Sequence, residues 1–214
     1  MSIGQERFWY SWKTPHEKLG PLAGAMRERG MRRVLDLGCG AGRHLVYLAR
    51  QGREMYGTDI DSHGLARARA WLEQEGLSAH LTVADMEALP YPDGFFDAVV
   101  STNVIHHNLL DGIRRTVAGV RRVLRPGGWF FATVNAWGDY KERLGPEIEP
   151  GTWLVCELDC DVPVPHHLFR EDELRSVWEG FRILELERKT HEWVDANSGQ
   201  PRLSAHWEVG AERV

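Results

Sequence analysis

Short apolar runs alternate along this chain with longer segments in which apolar residues recur every third or fourth position. The run Arg33–Leu37 has no polar alternation before Asp36, so it predicts a strand buried on both faces. A helix is predicted over His44–Gln51, closed by Gly52, and then a strand over Glu54–Thr58 that ends at Asp59. The same rhythm predicts a helix over Leu65–Glu75, stopped by Gly76, and a strand over His80–Ala84 that ends at Asp85. Pro90, Pro92, Asp93 and Gly94 mark a turn-rich loop. A strand over Phe96–Ser101, a helix over Gly112–Leu124 ended by Pro126-Gly127-Gly128, and a strand over Trp129–Val134 follow.

Strands alternating with helices call for a parallel sheet built from right-handed crossovers. Upstream, a helix over Leu22–Arg29 closed by Gly30 follows a segment rich in aromatics (Phe8, Trp9, Tyr10, Trp12) and broken by Pro15 and Pro21. Residues 136–168 lose the rhythm, with Pro146, Pro150, Pro163 and Pro165, and read as an irregular insertion. A helix over Glu171–Trp178 then resumes, and runs at Phe181–Leu186 and Leu203–Ala211 read as an antiparallel pair. The expected architecture is α/β: a doubly wound sheet of seven strands, the last antiparallel, with helices on both faces. It forms one domain over 1–214, with 1–30 as an N-terminal helical cap.

Bulk properties narrow the partners. At 214 residues and 43% hydrophobic, the chain can bury the core of one large domain. Its net charge of −5 argues against broad electrostatic attraction to nucleic acid. Arginines at 27, 29, 32 and 33 and at 114, 115, 121 and 122 therefore read as solvated helix faces. No apolar run approaches the ~18 residues that span a bilayer. No basic segment followed by an apolar one opens the chain. Cys39, Cys156 and Cys160 are too few and too scattered for a disulfide framework, so the expected setting is reduced and cytoplasmic. The oligomeric state is left open.

The candidate chemistry begins at Val34-Leu35-Asp36-Leu37-Gly38-Cys39-Gly40-Ala41-Gly42. Glycines at every second position let backbone approach a ligand closely at a strand-to-helix turn. The helix start behind them offers free N–H groups to an anionic group. Asp36, Asp59 and Asp85 end three successive predicted strands, where an open α/β sheet binds its ligand. Asp59 lies about 20 residues past the loop, where a carboxylate accepts hydrogen bonds from a ribose diol. A dinucleotide loop needs G-x-G-x-x-G, and here Arg43 occupies the position of the third glycine. That spacing disfavours a nicotinamide-dependent oxidoreductase and suits a smaller nucleoside that carries an amino acid.

These residues resemble those of class I S-adenosylmethionine-dependent methyltransferases, in the small-molecule branch, with a Rossmann-like fold. Val34–Gly42 resembles the family's first motif, and Tyr56-Gly57-Thr58-Asp59-Ile60 its second. Ala84–Pro92 resembles the adenine-side loop, Phe95–Ser101 the fourth strand, and Val123–Gly128 the turn before the fifth. The resemblance implies S-adenosyl-L-methionine as cofactor. Gly38, Cys39 and Gly40 would lie along its methionine part, with Asp36 steadying the loop and the amino group. Asp59 would hold the ribose, Ile60 would cover the adenine face, and Asp85 and Met86 would meet its edge. Asn103 would sit near the sulfonium. Arg43 and His44 are weaker candidates, since side chains at helix starts often face solvent.

Methyl transfer from a sulfonium is an in-line displacement, so the enzyme aligns the acceptor, excludes water and sometimes takes a proton. His106, His107 and His166 are the candidate bases. Trp12, Trp137, Tyr140 and His167 are candidate contacts to the acceptor, and 136–168 a substrate-side insertion. Neither His-His nor C-x-x-x-C is a strong ligand spacing, so no metal is expected. The expected acceptor is a small molecule, with no membrane partner and nucleic acid disfavoured. Two alternatives remain: a regulatory protein that binds the cofactor without transferring its methyl, and a methyltransferase acting on RNA or protein.

Overall fold

A computed structural model describes residues 13–156, 162–195 and 199–214. Its main sheet comprises β1 (Arg33–Leu37), β2 (Glu54–Asp59), β3 (His80–Val83), β4 (Phe96–Thr102), β5 (Leu124–Asn135), β9 (Phe181–Val194) and β10 (Pro201–Arg213). The strand order is β3-β2-β1-β4-β5-β10-β9. Strands β1 to β5 are mutually parallel, and β10 runs antiparallel to both β5 and β9. The seven strands and the antiparallel final strand are those expected from the sequence. The order reverses between β1 and β4, and at such a switch point the strand ends diverge into a ligand crevice.

Five helices cover the sheet among the described residues: α1 (Leu19–Glu28), α2 (Arg43–Arg50), α3 (Ser62–Gln74), α4 (Leu110–Val123) and α5 (Glu171–Val177). Strand β1 divides its side chains between two cores. Val34 joins Leu19, Met26, Leu45, Leu48 and Leu72 on the face of α1, α2 and α3. Leu35 and Leu37 join Val99, Val117, Val120, Phe130 and Trp178 on the face of α4 and α5. This two-sided burial is why the run carries no polar alternation until Asp36. Trp207, expected in the core, is 8% exposed there and donates from its indole N–H to Phe169 O.

Three local readings change. Residues 136–168 are not wholly irregular: β6 (Glu147–Glu149), β7 (Thr152–Val155) and β8 (Val164–His167) form a second, antiparallel sheet. Prolines 146, 150 and 163 lie outside these strands, and Pro165 lies on β8, which pairs only with β7. Helix α4 stops at Val123, and Leu124 is already extended, so Pro126-Gly127-Gly128 falls at the start of β5 rather than in a separate turn. The terminal strand pair is longer than its apolar runs, because β9 and β10 stay paired out to Val194 and Pro201. Beyond Leu186 that extension is largely polar, and hydrophobic periodicity does not mark it.

Candidate active site

The glycine loop joins β1 to α2 across the ends of β1 and β2. The N–H groups of Gly38 and Cys39 both donate to Thr58 O, at 2.8 and 3.0 Å. Gly38, Gly40 and Gly42 have φ of 71°, 50° and 91°, values that L side chains rarely adopt. A Cβ on Gly38 would overlap the Val104 side chain, whereas one on Gly40 would meet nothing within 4 Å. The loop is thus clamped at Gly38 and open over Gly40. The Cys39 side chain is buried toward Gly57, and burial pushes its thiol pKa up. It leaves only its backbone to the crevice.

Asp59 organises this loop. Its Oδ2 accepts from Gly40 N at 2.7 Å and its Oδ1 from Asp61 N at 2.8 Å. Each carboxylate oxygen retains a further acceptor site, the requirement for a vicinal diol. Ile60, next in the chain, is 75% exposed, an apolar side chain set beside the crevice. Asp85 lies two residues past β3, exposed, with Oδ1 accepting from Glu87 N at 2.9 Å. Met86 is half-buried against the α4-side core.

Asp36 is 1% exposed, and its Oδ2 accepts no hydrogen bond among the described residues. Burial raises its pKa to about 7, against the pull of the Arg43 guanidinium and the Leu45 N–H. An orphaned buried carboxylate oxygen on the strand that leads into the open glycine loop suits a cationic, hydrogen-bonding ligand group such as an α-ammonium. Arg43 and His44 matter more than their place at a helix start suggests. Arg43 Nη2 donates to Thr102 Oγ1 at 3.3 Å. His44 is 3% exposed, bridges from Nδ1 to Thr102 Oγ1 at 3.2 Å, and accepts from His16 N at its Nε2. Burial lowers its pKa to about 3, so the ring is neutral.

Asn103, the residue after β4, has φ 58°, an uncommon conformation for a residue other than glycine. Thr133 on β5 holds it there: Asn103 N donates to Thr133 Oγ1 at 2.9 Å, and that hydroxyl donates to Asn103 Oδ1 at 3.0 Å. The side chain is exposed at the strand ends.

Four histidines from two distant pairs converge beyond Asn103. Ring centroids of His106 and His107 lie 4.3 Å apart, and those of His107 and His166 4.4 Å. His106 and His166 are buried, and burial drives the His106 pKa well down. His106 Nδ1 accepts from Asn135 N at 3.3 Å. His107 alone of the four is half-buried. His167 is fully buried, with Nδ1 at 2.7 Å from Thr152 Oγ1 and Nε2 at 3.0 Å from Glu173 Oε2. Both its ring nitrogens meet protein partners, so it ties β7, β8 and α5 together and offers no ring nitrogen to an acceptor.

The expected aromatic contacts separate. Trp137 packs edge-on against Trp153 at 5.4 Å, with the Arg170 guanidinium 3.8 Å from its ring centre. Tyr140 packs edge-on against Trp193 of the long hairpin at 5.0 Å. Trp12 lies outside the described residues, as do Phe8, Trp9, Tyr10 and Cys160. Sequence reasoning missed Asp139, His16 and Glu208. Buried Asp139 Oδ2 accepts from Ala205 N at 2.7 Å and pins the insertion to β10. Glu208 had a visible signal: a lone acid between Trp207 and Val209 in a strand expected to be core.

Comparisons with known proteins agree with this fold. Residues 34–128 match the family model for the methyltransferase domain. An uncharacterized methyltransferase of Synechocystis sp. is 35% identical over 127 residues, 59% of this chain and 53% of that protein. A sterol 24-C-methyltransferase of Gibberella zeae is 38% identical over 145 residues, 61% of this chain and 37% of that protein. The chain thus spans about half or less of the length of these relatives. A SAM-dependent methyltransferase of Methanosarcina mazei shares the fold at a TM-score of 0.70 and 22% identity, covering 85% of this chain and 92% of that one. Residues 34–128 thus match a methyltransferase domain, and the chain shares the fold of S-adenosylmethionine-dependent methyltransferases, a family whose cofactor is S-adenosylmethionine. No described helix is long and apolar enough to cross a membrane.

Proposed function

We propose that this chain transfers a methyl group from S-adenosylmethionine to a small-molecule acceptor bound between the crevice, the N-terminal segment and the 136–168 insertion. Two observations on the same strand and loop support the cofactor's placement: Asp36 Oδ2 is buried without a hydrogen bond among the described residues, and the space over Gly40 is open. Asp36 would take the amino group, the loop backbone at Gly38, Cys39 and Gly40 the methionine part, and Asp59 the ribose. Ile60 would cover the adenine, and Asp85 and Met86 would bound its edge. When bound, S-adenosylmethionine supplies an electrophilic methyl carbon on a sulfonium.

The remaining work falls to the chain itself. Thr133 fixes Asn103 at the rim. The insertion, pinned through Asp139, walls one side and limits water. Of the expected bases, half-buried His107 best combines access with a position beside the rim; His106 and His166 are buried behind it. Half-buried Trp137 and Tyr140 supply apolar surface on the insertion side. A small apolar acceptor accords with the sterol named for the Gibberella relative and with the net charge of −5, which does not favour RNA.

Transfer of labelled methyl from S-adenosylmethionine tests this reading, with a panel of phenols, quinols, sterols and fatty acids beside total RNA and a protein extract. Label should enter a small molecule and be lost with Asp59→Ala. Label confined to RNA or protein would overturn the acceptor class. Cofactor binding without transfer to any fraction would favour the regulatory alternative.

A further inference from the structure

Outside the residues assigned above, one cluster joins the N-terminal segment to the sheet. His206 and Glu208 are two residues apart on β10, so they share a face. In the antiparallel register they sit opposite Asn135 and Thr133 of β5, and Thr133 is the residue that holds Asn103. Cross-strand partners lie on the same face, which puts the cluster one strand from the rim of the crevice. His16 reaches it from the segment that precedes α1. Its Nε2 lies 3.3 Å from Glu208 Oε1, and His206 Nε2 lies 3.6 Å from the same oxygen. One possible ligand atom from each of the three residues falls within 4.8 Å of the other two.

We propose that His16, His206 and Glu208 form a binding site for a divalent transition-metal ion of the zinc class, on the acceptor side of the crevice. Tetrahedral zinc, with bonds near 2.0–2.2 Å, sets its ligand atoms about 3.3–3.6 Å apart, and these two separations match that edge length. Two imidazoles and one carboxylate select zinc, cobalt or nickel over magnesium or calcium, and leave a coordination position open.

Independent features point to a cation. Glu208 is 2% exposed, and its Oε2 makes no hydrogen bond among the described residues. Lys18 Nζ stands 3.7 Å from that oxygen but is closer to Glu185, at 2.5 Å, and to Glu187, at 3.3 Å. Lys189 also pairs with Glu187, at 2.7 Å. Three carboxylates thus face two ammonium groups, and the buried carboxylate is the one least compensated. The His16 backbone is fixed by donation from its N–H to His44 Nε2 at 3.2 Å. Without metal, His16 Nδ1 accepts from Lys18 N at 3.3 Å, which leaves the ring proton on Nε2. Loading moves that proton to Nδ1 and gives up this long contact.

The inference rests on the proposed function only for its place beside the acceptor, and metal binding is read separately from cofactor binding. Chelator-stripped protein is titrated with Co²⁺, followed by visible absorption, and with Zn²⁺ by calorimetry, while S-adenosylmethionine binding is measured on the same samples. One ion should bind per chain. His206→Ala and His16→Ala should each weaken it by more than about 100-fold, since even outer-shell changes at metal sites cost 10–100-fold. His191→Ala, an exposed histidine on β9, should change nothing. Circular dichroism confirms that each variant is folded. Equal binding by wild type and His206→Ala would overturn the site. So would loss on His107→Ala but not on His206→Ala, which would place the ion among the other histidines. Failure of metal binding with the cofactor still bound would remove this site alone.

Discussion

Asp59 Oδ2 accepts the N–H of Gly40 at 2.7 Å, so the carboxylate assigned to the ribose also sets the shape of the glycine loop. Asp59→Ala therefore removes a cofactor contact and a loop support together. A hydrogen bond to a charged group contributes about 1.5–3 kcal/mol, which predicts S-adenosylmethionine binding weaker by roughly 10- to 100-fold or more. Isothermal titration of the variant measures it. Unchanged affinity would take Asp59 out of the ribose role.

Gly38 is held by sterics as well as by φ. Gly38→Ala places a methyl against Val104 and forces alanine to φ 71°, so stability should fall by about 1–3 kcal/mol. Denaturant unfolding measures the loss. Adding Val104→Ala should recover the steric part and leave the backbone part, a non-additivity that a double-mutant cycle detects.

Acid should destabilise the protein through its buried histidines. The His44 pKa is about 3 when folded, against 6.5 unfolded, so between those values the unfolded chain binds the extra proton and stability falls as pH falls. His106 has the same sign. Asp36 has the opposite sign: raised from 3.8 to about 7, it contributes stability that is fully present below 3.8 and lost as pH rises through 7. From about pH 6.5 to 4 the histidines outweigh the single acid. There His44→Gln should flatten the decline by about 1.4 kcal/mol per pH unit, and Asp36→Asn should steepen it by a similar amount. Urea melts across that range check both signs.

Thr133→Val leaves Asn103 at positive φ without its two hydroxyl contacts. The expected result is a drop in kcat of about 10-fold or more, because a displaced rim residue misaligns the acceptor, with a smaller change in cofactor affinity. Equal losses in both would place Asn103 on the cofactor alone.

The cofactor half of the crevice was legible because each of its parts leaves a local mark. Gly38, Gly40 and Gly42 are required by backbone conformation, and Asp36 and Asp59 interrupt apolar strands. The acceptor half leaves no such mark. Its residues come from the N-terminal segment, the β4–α4 loop, the insertion and β10, and only the fold brings His16 to Glu208 or His106 to His166. Arg43 and His44 leave no local mark for the same reason: their partners at Thr102 and His16 lie on other elements. The small sheet of the insertion was hidden because its three strands are only three or four residues long and are flanked by prolines.

The most direct test of the account is calorimetry of the purified chain with S-adenosylmethionine, its demethylated product and NAD. The account predicts one saturable site per chain for the first two, abolished or strongly weakened by Asp59→Ala, and no response to NAD. Saturable NAD binding with no heat from either sulfur nucleoside would contradict it.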